Sequence, residues 1–197
     1  TRAARTAPAG AQRAAAAVAV LPLLGTPCVL HQPSYSMLSR WVDDKLLDRL
    51  GAEGVGCIGF TALAQGLLTD KYLDGVPEDS RMARYYSLGQ ETLTEDNVRR
   101  LRGLNDIAAA RGQSLTQLAL AWALRDQRMT SLVIGASSVA QPEPYVAALD
   151  LLDLRDGDHR AHCRTPFEQP AGAGRAQAHA TARRAQDKDL RTDDRHG

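Results

Sequence analysis

Cysteine is scarce in this 197-residue chain, and so is charge of a single sign. The three cysteines, Cys28, Cys57 and Cys163, are odd in number and far apart, with no CxxC or Cys/His ligand spacing. That excludes a disulfide framework and a zinc site, and it sets a reducing, cytoplasmic compartment as the expectation. Lys and Arg total 24 against 23 Asp and Glu, a formal net charge of +1. No sustained basic excess exists to neutralise phosphates, so neither a nucleic-acid partner nor a membrane surface is expected. No apolar run reaches the roughly 18 residues of a spanning helix.

What is present is unevenly spread. Residues 155–197 hold eight of the arginines and four of the five histidines, with only Phe167 and Leu190 as large apolar residues. Such a segment buries too little surface to offset its ordering entropy, and a disordered tail is expected. Residues 1–24 form an Ala/Arg-rich lead, with ten Ala in the first 19 positions. Three readings of it stand: a secretory signal, since Arg2, Arg5 and Arg13 precede an apolar stretch; an amphipathic helix of a truncated domain; or residues from a shifted reading frame, which the tail also admits. A core is expected between residues 25 and 154.

Within that span, residues 28–32 read as a buried strand opening at His31, Gln32, Pro33 and Ser34. Val42, Leu46, Leu47 and Leu50 then mark a helical stripe with Gly51 as its stop. Residues 54–60 form a second strand, followed by a loop from Thr61 beyond Lys71 to Arg81, far longer than an α/β connection needs. A helix capped by Thr94 runs to Gly112, and an S-x-x-Q box, Ser114 with Gln117, starts another whose inward face is Leu118, Ala119, Trp122 and Ala123. Residues 131–135 make a third buried strand. After it, Pro142 and Pro144 limit any helix to begin near residue 144.

Buried strands alternating with amphipathic helices imply a parallel sheet. The pattern is that of the C-terminal part of a (β/α)8 TIM barrel, about strands six to eight, and incomplete because that fold takes about 250 residues. Chemistry in such a fold sits at the strand C-termini, here Gln32 to Tyr35, Phe60 to Lys71 with Arg81, and Gly135 to Gln141. Gln32 offers an amide, Phe60 an aromatic face, Lys71 and Arg81 two cations, and Gly135 with Ser137 a close backbone approach suited to an anion. Together they describe a nucleotide cradle. No proton-transfer set stands out at these strand ends; His31 reads as a core or rim residue and Tyr35 as packing.

Four segments carry a family resemblance: HQPSYSMLSRW (31–41), GVGCIGFTALAQGLLTDKYLDGVPEDSR (54–81), RGQSLTQLALAWALRD (111–126) and SLVIGASS (131–138). They resemble the aldo-keto reductases, in the branch with bacterial glyceraldehyde 3-phosphate reductases and potassium-channel beta subunits. The resemblance covers about residues 25–150. It implies an NADPH-dependent oxidoreductase acting on a small carbonyl compound, an aldehyde or a ketone, with the oligomeric state left open. By position it assigns Gln32 to the nicotinamide carboxamide and Phe60 to the stacking aromatic. Thr61, Leu63, Ala64 and Gly66 match the pyrophosphate loop, Lys71 and Arg81 the cations over the phosphates, and Ser137 and Gln141 the start of the adenosine-phosphate site.

In the family the proton donor is a Tyr assisted by Lys, His and Asp, and those residues lie in the first half of the barrel. This chain is therefore expected to carry much of the cofactor site but none of the catalytic residues, and to be inactive alone. Ala62 stands where the family has Pro and Asp70 where it usually has Gly. Pro144 and Tyr145 occupy the Glu and Asn positions that grip the adenine, and Pro142 replaces an apolar helix residue. The alternative readings are a cofactor-sensing regulatory subunit like the channel beta subunits, and a degenerate inactive segment.

Overall fold

A computed structural model describes residues 4–6, 11–43, 45–78, 80, 92–136 and 138–154. Arg81, Ser137 and the whole tail from residue 155 lie outside the described residues.

Among the described residues, four parallel strands, β1 (Ala4–Thr6), β2 (Cys28–His31), β3 (Gly56–Phe60) and β4 (Met129–Val133), lie side by side in chain order. Parallel neighbours need crossovers, and helices supply them. α1 (Ala11–Val20) joins β1 to β2, and α2 (Leu46–Ala52) joins β2 to β3. A long loop with α3 (Glu95–Ala110) and α4 (Leu115–Leu124) joins β3 to β4. The α/β reading with a parallel sheet holds, with one strand more than the sequence suggested.

The helices form where their ends are capped and one face is apolar. Thr94 Oγ1 accepts from Asn97 N at 3.2 Å, Glu95 and Asp96 occupy the positive first turn of α3, and Leu101, Leu104 and Ala108 are buried beneath it. Ser114 and Gln117 make the reciprocal capping box of α4, at 2.9 and 3.2 Å. Seven consecutive or near-consecutive residues of α4, from Leu115 to Ala123, are buried, so this helix is enclosed on nearly every side rather than on one face. In the Ala-rich lead, the amphipathic-helix reading fits α1: Ala14 and Val18 enter the core, and α1 packs on α2 and β2.

Several boundaries differ from expectation, each for a local reason. α2 begins at Leu46, after Lys45 in a left-handed conformation, and runs through Gly51; the left-handed stop is Gly54, at φ +66°. β4 begins two residues earlier than its apolar run, because pairing with β3 fixes its register: Cys57 lies opposite Met129 and Phe60 opposite Val133. Nor are the strands buried throughout. Cys28, His31, Cys57, Gly59 and Met129 are covered, whereas Val29, Ser131 and Val133 are exposed, because among the described residues helices cover only part of the sheet and β4 has β3 as its sole neighbour. Finally, α5 (Pro142–Ala147) accommodates both prolines. They fall in its first turn, where backbone N–H groups have no helical partner to lose.

Candidate functional site

Because β2, β3 and β4 are parallel and adjacent, their C-terminal ends emerge along one edge. Leaving β2, the chain runs through half-buried Gln32 and then locks onto the end of β3. Phe60 N donates to Pro33 O and Tyr35 N to Phe60 O, both at 3.0 Å. The hydroxyls of Ser34 and Thr61 lie 2.7 Å apart. Val133 pairs with Phe60, so Gly135 follows two residues beyond the same edge. Gln32, Phe60, Thr61 and Gly135 are thereby drawn together from three segments more than 100 residues apart at the extremes.

The backbone after Phe60 is unusual. Thr61, Ala64 and Gln65 have φ of 58°, 46° and 60°, and Gly66 has φ of 101°. Left-handed conformations in residues bearing a Cβ are sparsely populated and persist only where the surroundings hold them. Here turns do so: Ala64 N donates to Thr61 O at 2.7 Å, Gly66 N to Leu63 O at 2.9 Å, and Thr69 Oγ1 to Gly66 O at 2.7 Å. Ala62, Leu67, Leu68 and Tyr72 anchor the loop in the core. Gly66 is required twice over, by its φ and because a Cβ would sit 3.3 Å from the Tyr72 ring.

The other expected positions are less closely tied to this edge. Leu63 and Ala64 are half-buried in the loop; Lys71 is exposed in the short 3₁₀ turn Asp70–Tyr72, whose cap is Thr69. Gly135 is exposed, with no heavy atom within 4 Å of where a Cβ would stand. Gln141 is half-buried just before α5. What the edge offers chemically is therefore a half-buried amide, a half-buried aromatic ring, open backbone at Gly135 and a constrained, turn-rich loop, which suits binding and orientation of an extended ligand.

A cluster behind this edge escaped the sequence reading. Tyr35 is fully buried, its ring 5.3 Å from that of Trp122. Its hydroxyl donates to Asp43 Oδ1 at 2.5 Å and accepts from Arg125 Nη1 at 2.6 Å. Asp43 Oδ2 accepts from Arg40 Nε and Arg125 Nη2, each at 3.0 Å. The Arg125 guanidinium lies 3.7 Å from the Trp122 ring centroid and donates to Trp122 O at 2.8 Å. Burial, joined by the hydrogen bond to Asp43, raises the Tyr35 phenol far above its ordinary range, with Arg125 opposing, so it stays a proton donor. The packing of Tyr35 was legible; its polar partners, 8 and 90 residues away, were not.

His31 is fully buried, and burial lowers its pKa below the usual 6.5. The neutral form is thus favoured on folding. The unfolded chain binds the extra proton as pH falls past 6.5, so stability drops on acidification and is restored above it. Urea midpoints measured at pH 7.5 and 5.5 should show this loss, and His31→Gln should reduce it; an unchanged difference in the variant would place the effect elsewhere. Cys57 is likewise buried, and burial, with the Asp126 charge, pushes its thiol up to about 12, leaving it inert as a nucleophile at neutral pH.

An α/β chain with a parallel sheet and a constrained loop at one strand-end edge belongs to a recognisable class, and sequence comparison identifies which. The pattern of the aldo/keto reductase family matches residues 12–162, and the chain belongs to that family. It is 55% identical over 131 residues to L-glyceraldehyde 3-phosphate reductase of Escherichia coli, in both strain K12 and O157:H7, covering 64% of this chain and 38% of the relative. It is 36% identical over 130 residues to the probable voltage-gated potassium channel subunit beta of Oryza sativa subsp. japonica, covering 64% of this chain and 40% of that protein. The chain thus spans about two fifths of the length of these relatives. The family match begins at residue 12, ahead of the segments that carried the resemblance. No helix among the described residues is long and apolar enough to cross a membrane.

Proposed function

We propose that this chain carries part of the cofactor site of an NADPH-dependent reductase of small aldehydes or ketones, with β2, β3 and β4 as strands six to eight of an eight-stranded barrel. The observation that carries the reading is the convergence of Gln32, Phe60, Thr61 and Gly135 on one edge beside a loop whose backbone is left-handed at Thr61, Ala64 and Gln65 and at positive φ at Gly66. Strand C-termini are where such a fold binds its ligands, and this edge fits an extended dinucleotide. Gln32 and Phe60 would hold the nicotinamide, Thr61, Leu63, Ala64 and Gly66 the pyrophosphate, and Lys71, Arg81, Ser137 and Gln141 the phosphate-bearing end. When bound, the cofactor supplies a hydride for the carbonyl carbon. The residues of this chain bind and orient it.

The relative with the higher identity is named for a phosphorylated aldehyde, which favours a reductase over the channel-subunit reading. Among the described residues, Cys28 and Cys57 are buried and outside any disulfide, which suits the reducing compartment we assign to it. Fluorescence titration of the purified chain with NADPH tests the proposal. Binding is expected, and Phe60→Ala should weaken it roughly 3- to 10-fold, the worth of one ring-stacking contact. No turnover of methylglyoxal is expected from this chain alone. Absence of binding would refute the cofactor assignment, and turnover would refute the inactivity.

A further inference from the structure

We infer that Arg125, acting with Asp43 and Tyr35, is a positioning residue for the cofactor platform, setting the place of Gln32 and Phe60 from behind the sheet edge. The inference rests on the cofactor reading above.

Gln32 directly precedes Pro33, whose carbonyl makes the lock onto β3 by accepting from Phe60 N. The next lock is Tyr35 N on Phe60 O, so Gln32 and Phe60 share one rigid backbone unit. That unit is held at the other end by side chains. The Tyr35 ring is fixed against Trp122, and its hydroxyl sits between Asp43 and Arg125. Arg125 reaches Asp43 and Tyr35 with two different nitrogens while its guanidinium sits over the Trp122 ring at the end of α4. The planar fork of a guanidinium allows both contacts at once, which a lysine ammonium cannot reproduce.

The intervening turn is closed as well. Ser36 Oγ accepts from Leu38 N and Ser39 N at 3.2 Å, Ser36 and Ser39 exchange backbone hydrogen bonds, and Trp41 Nε1 donates to Ser34 O at 3.0 Å. Residues 33–43 therefore move as one piece; the Tyr35 ring and the Arg40 guanidinium rest on Trp122 of α4, and Arg125 is the hydrogen-bonded tie between that piece and the end of α4. Loss of the tie frees the segment that carries Gln32 without removing any residue of the strand-end edge itself. Misplacement of an orienting group weakens binding even when the group is intact.

The test uses the 197-residue chain with Tyr35→Phe and Arg125→Met, which keep the ring and the stem over Trp122 but remove the polar tie. Amide hydrogen exchange is followed at Tyr35, Phe60 and, as a remote reference, Leu104, alongside NADPH titration. Both variants should speed exchange at Tyr35 and Phe60 roughly tenfold with Leu104 unchanged, and weaken NADPH binding by a similar factor. Arg125→Lys should behave like Arg125→Met. A merely structural role would instead raise exchange at all three amides together, and that result overturns the inference. So does faster exchange at Tyr35 and Phe60 with NADPH affinity unchanged. Wild-type chain that binds no NADPH overturns the cofactor reading itself, and is told apart from failure of the tie, in which wild type and variants bind equally well.

Discussion

Trp122→Ala is expected to lower the stability of the chain by about 3–5 kcal/mol, the range for removing a large aromatic from a packed interior. Trp122 has no exposed surface and sits at the centre of the aromatic and cationic cluster. Tyr35 packs on it at 5.3 Å, and the guanidiniums of Arg125 and Arg40 lie 3.7 and 5.1 Å from its ring centroid. Truncation therefore removes core volume, an aromatic pair and two cation contacts in one step. Its indole N–H is buried without a hydrogen-bond partner among the described residues. Trp122→Phe should thus cost markedly less, since shape is reduced and no hydrogen bond is broken. Urea denaturation of both variants at one pH decides this; a loss under about 1 kcal/mol for Trp122→Ala would contradict the packing described.

Gly59→Val is the second large effect, at about 1–3 kcal/mol from overpacking. A Cβ at Gly59 would stand 2.9 Å from Leu132 Cδ2, 3.4 Å from Met129 Sδ and 3.6 Å from Tyr35 Cβ. Leu132 and Met129 belong to β4, and Tyr35 belongs to the loop locked onto Phe60, so the added methyl groups push on β4 and on that loop at once. The Leu132 side chain can turn aside, but a branched residue also presses on Met129 and Tyr35. Gly59→Ala should be the milder change, and the pair of urea midpoints should rank wild type, then Ala, then Val. Equal stability of all three would show that this strand face is loosely packed.

The elements that follow from local rules were legible in the sequence. Thr94, Ser114 and Gln117 announce their helices because a cap needs only the next three residues. Leu46, Leu47 and Leu50 announce α2 by spacing alone. Elements set by pairing were not legible in the same way. The start of β4 depends on what stands opposite Cys57, and the partial exposure of the strands depends on how far helices cover the sheet. The two prolines of α5 were weighed as helix breakers, and only their place in its first turn makes them harmless.

The candidate site shows the same division. Gln32, Phe60 and Gly135 stand out in the sequence because strand ends are where this fold class does its chemistry, and the structure brings those ends to one edge. The left-handed backbone at Thr61, Ala64 and Gln65 has no signature in those residue types, none of which favours such a conformation. The tie through Asp43 and Arg125 joins residues 82 positions apart, and a charged pair at that separation is indistinguishable in sequence from two solvated side chains.

Whether the C-terminal edge of β2, β3 and β4 is a dinucleotide platform is decided by mapping backbone amide shifts of the 21.3 kDa chain during NADPH titration. The perturbed amides should be Gln32, Phe60, Thr61, Ala64, Gly66 and Gly135, with α3 unaffected. Saturation without shifts at these positions, or shifts centred on α3, would contradict it.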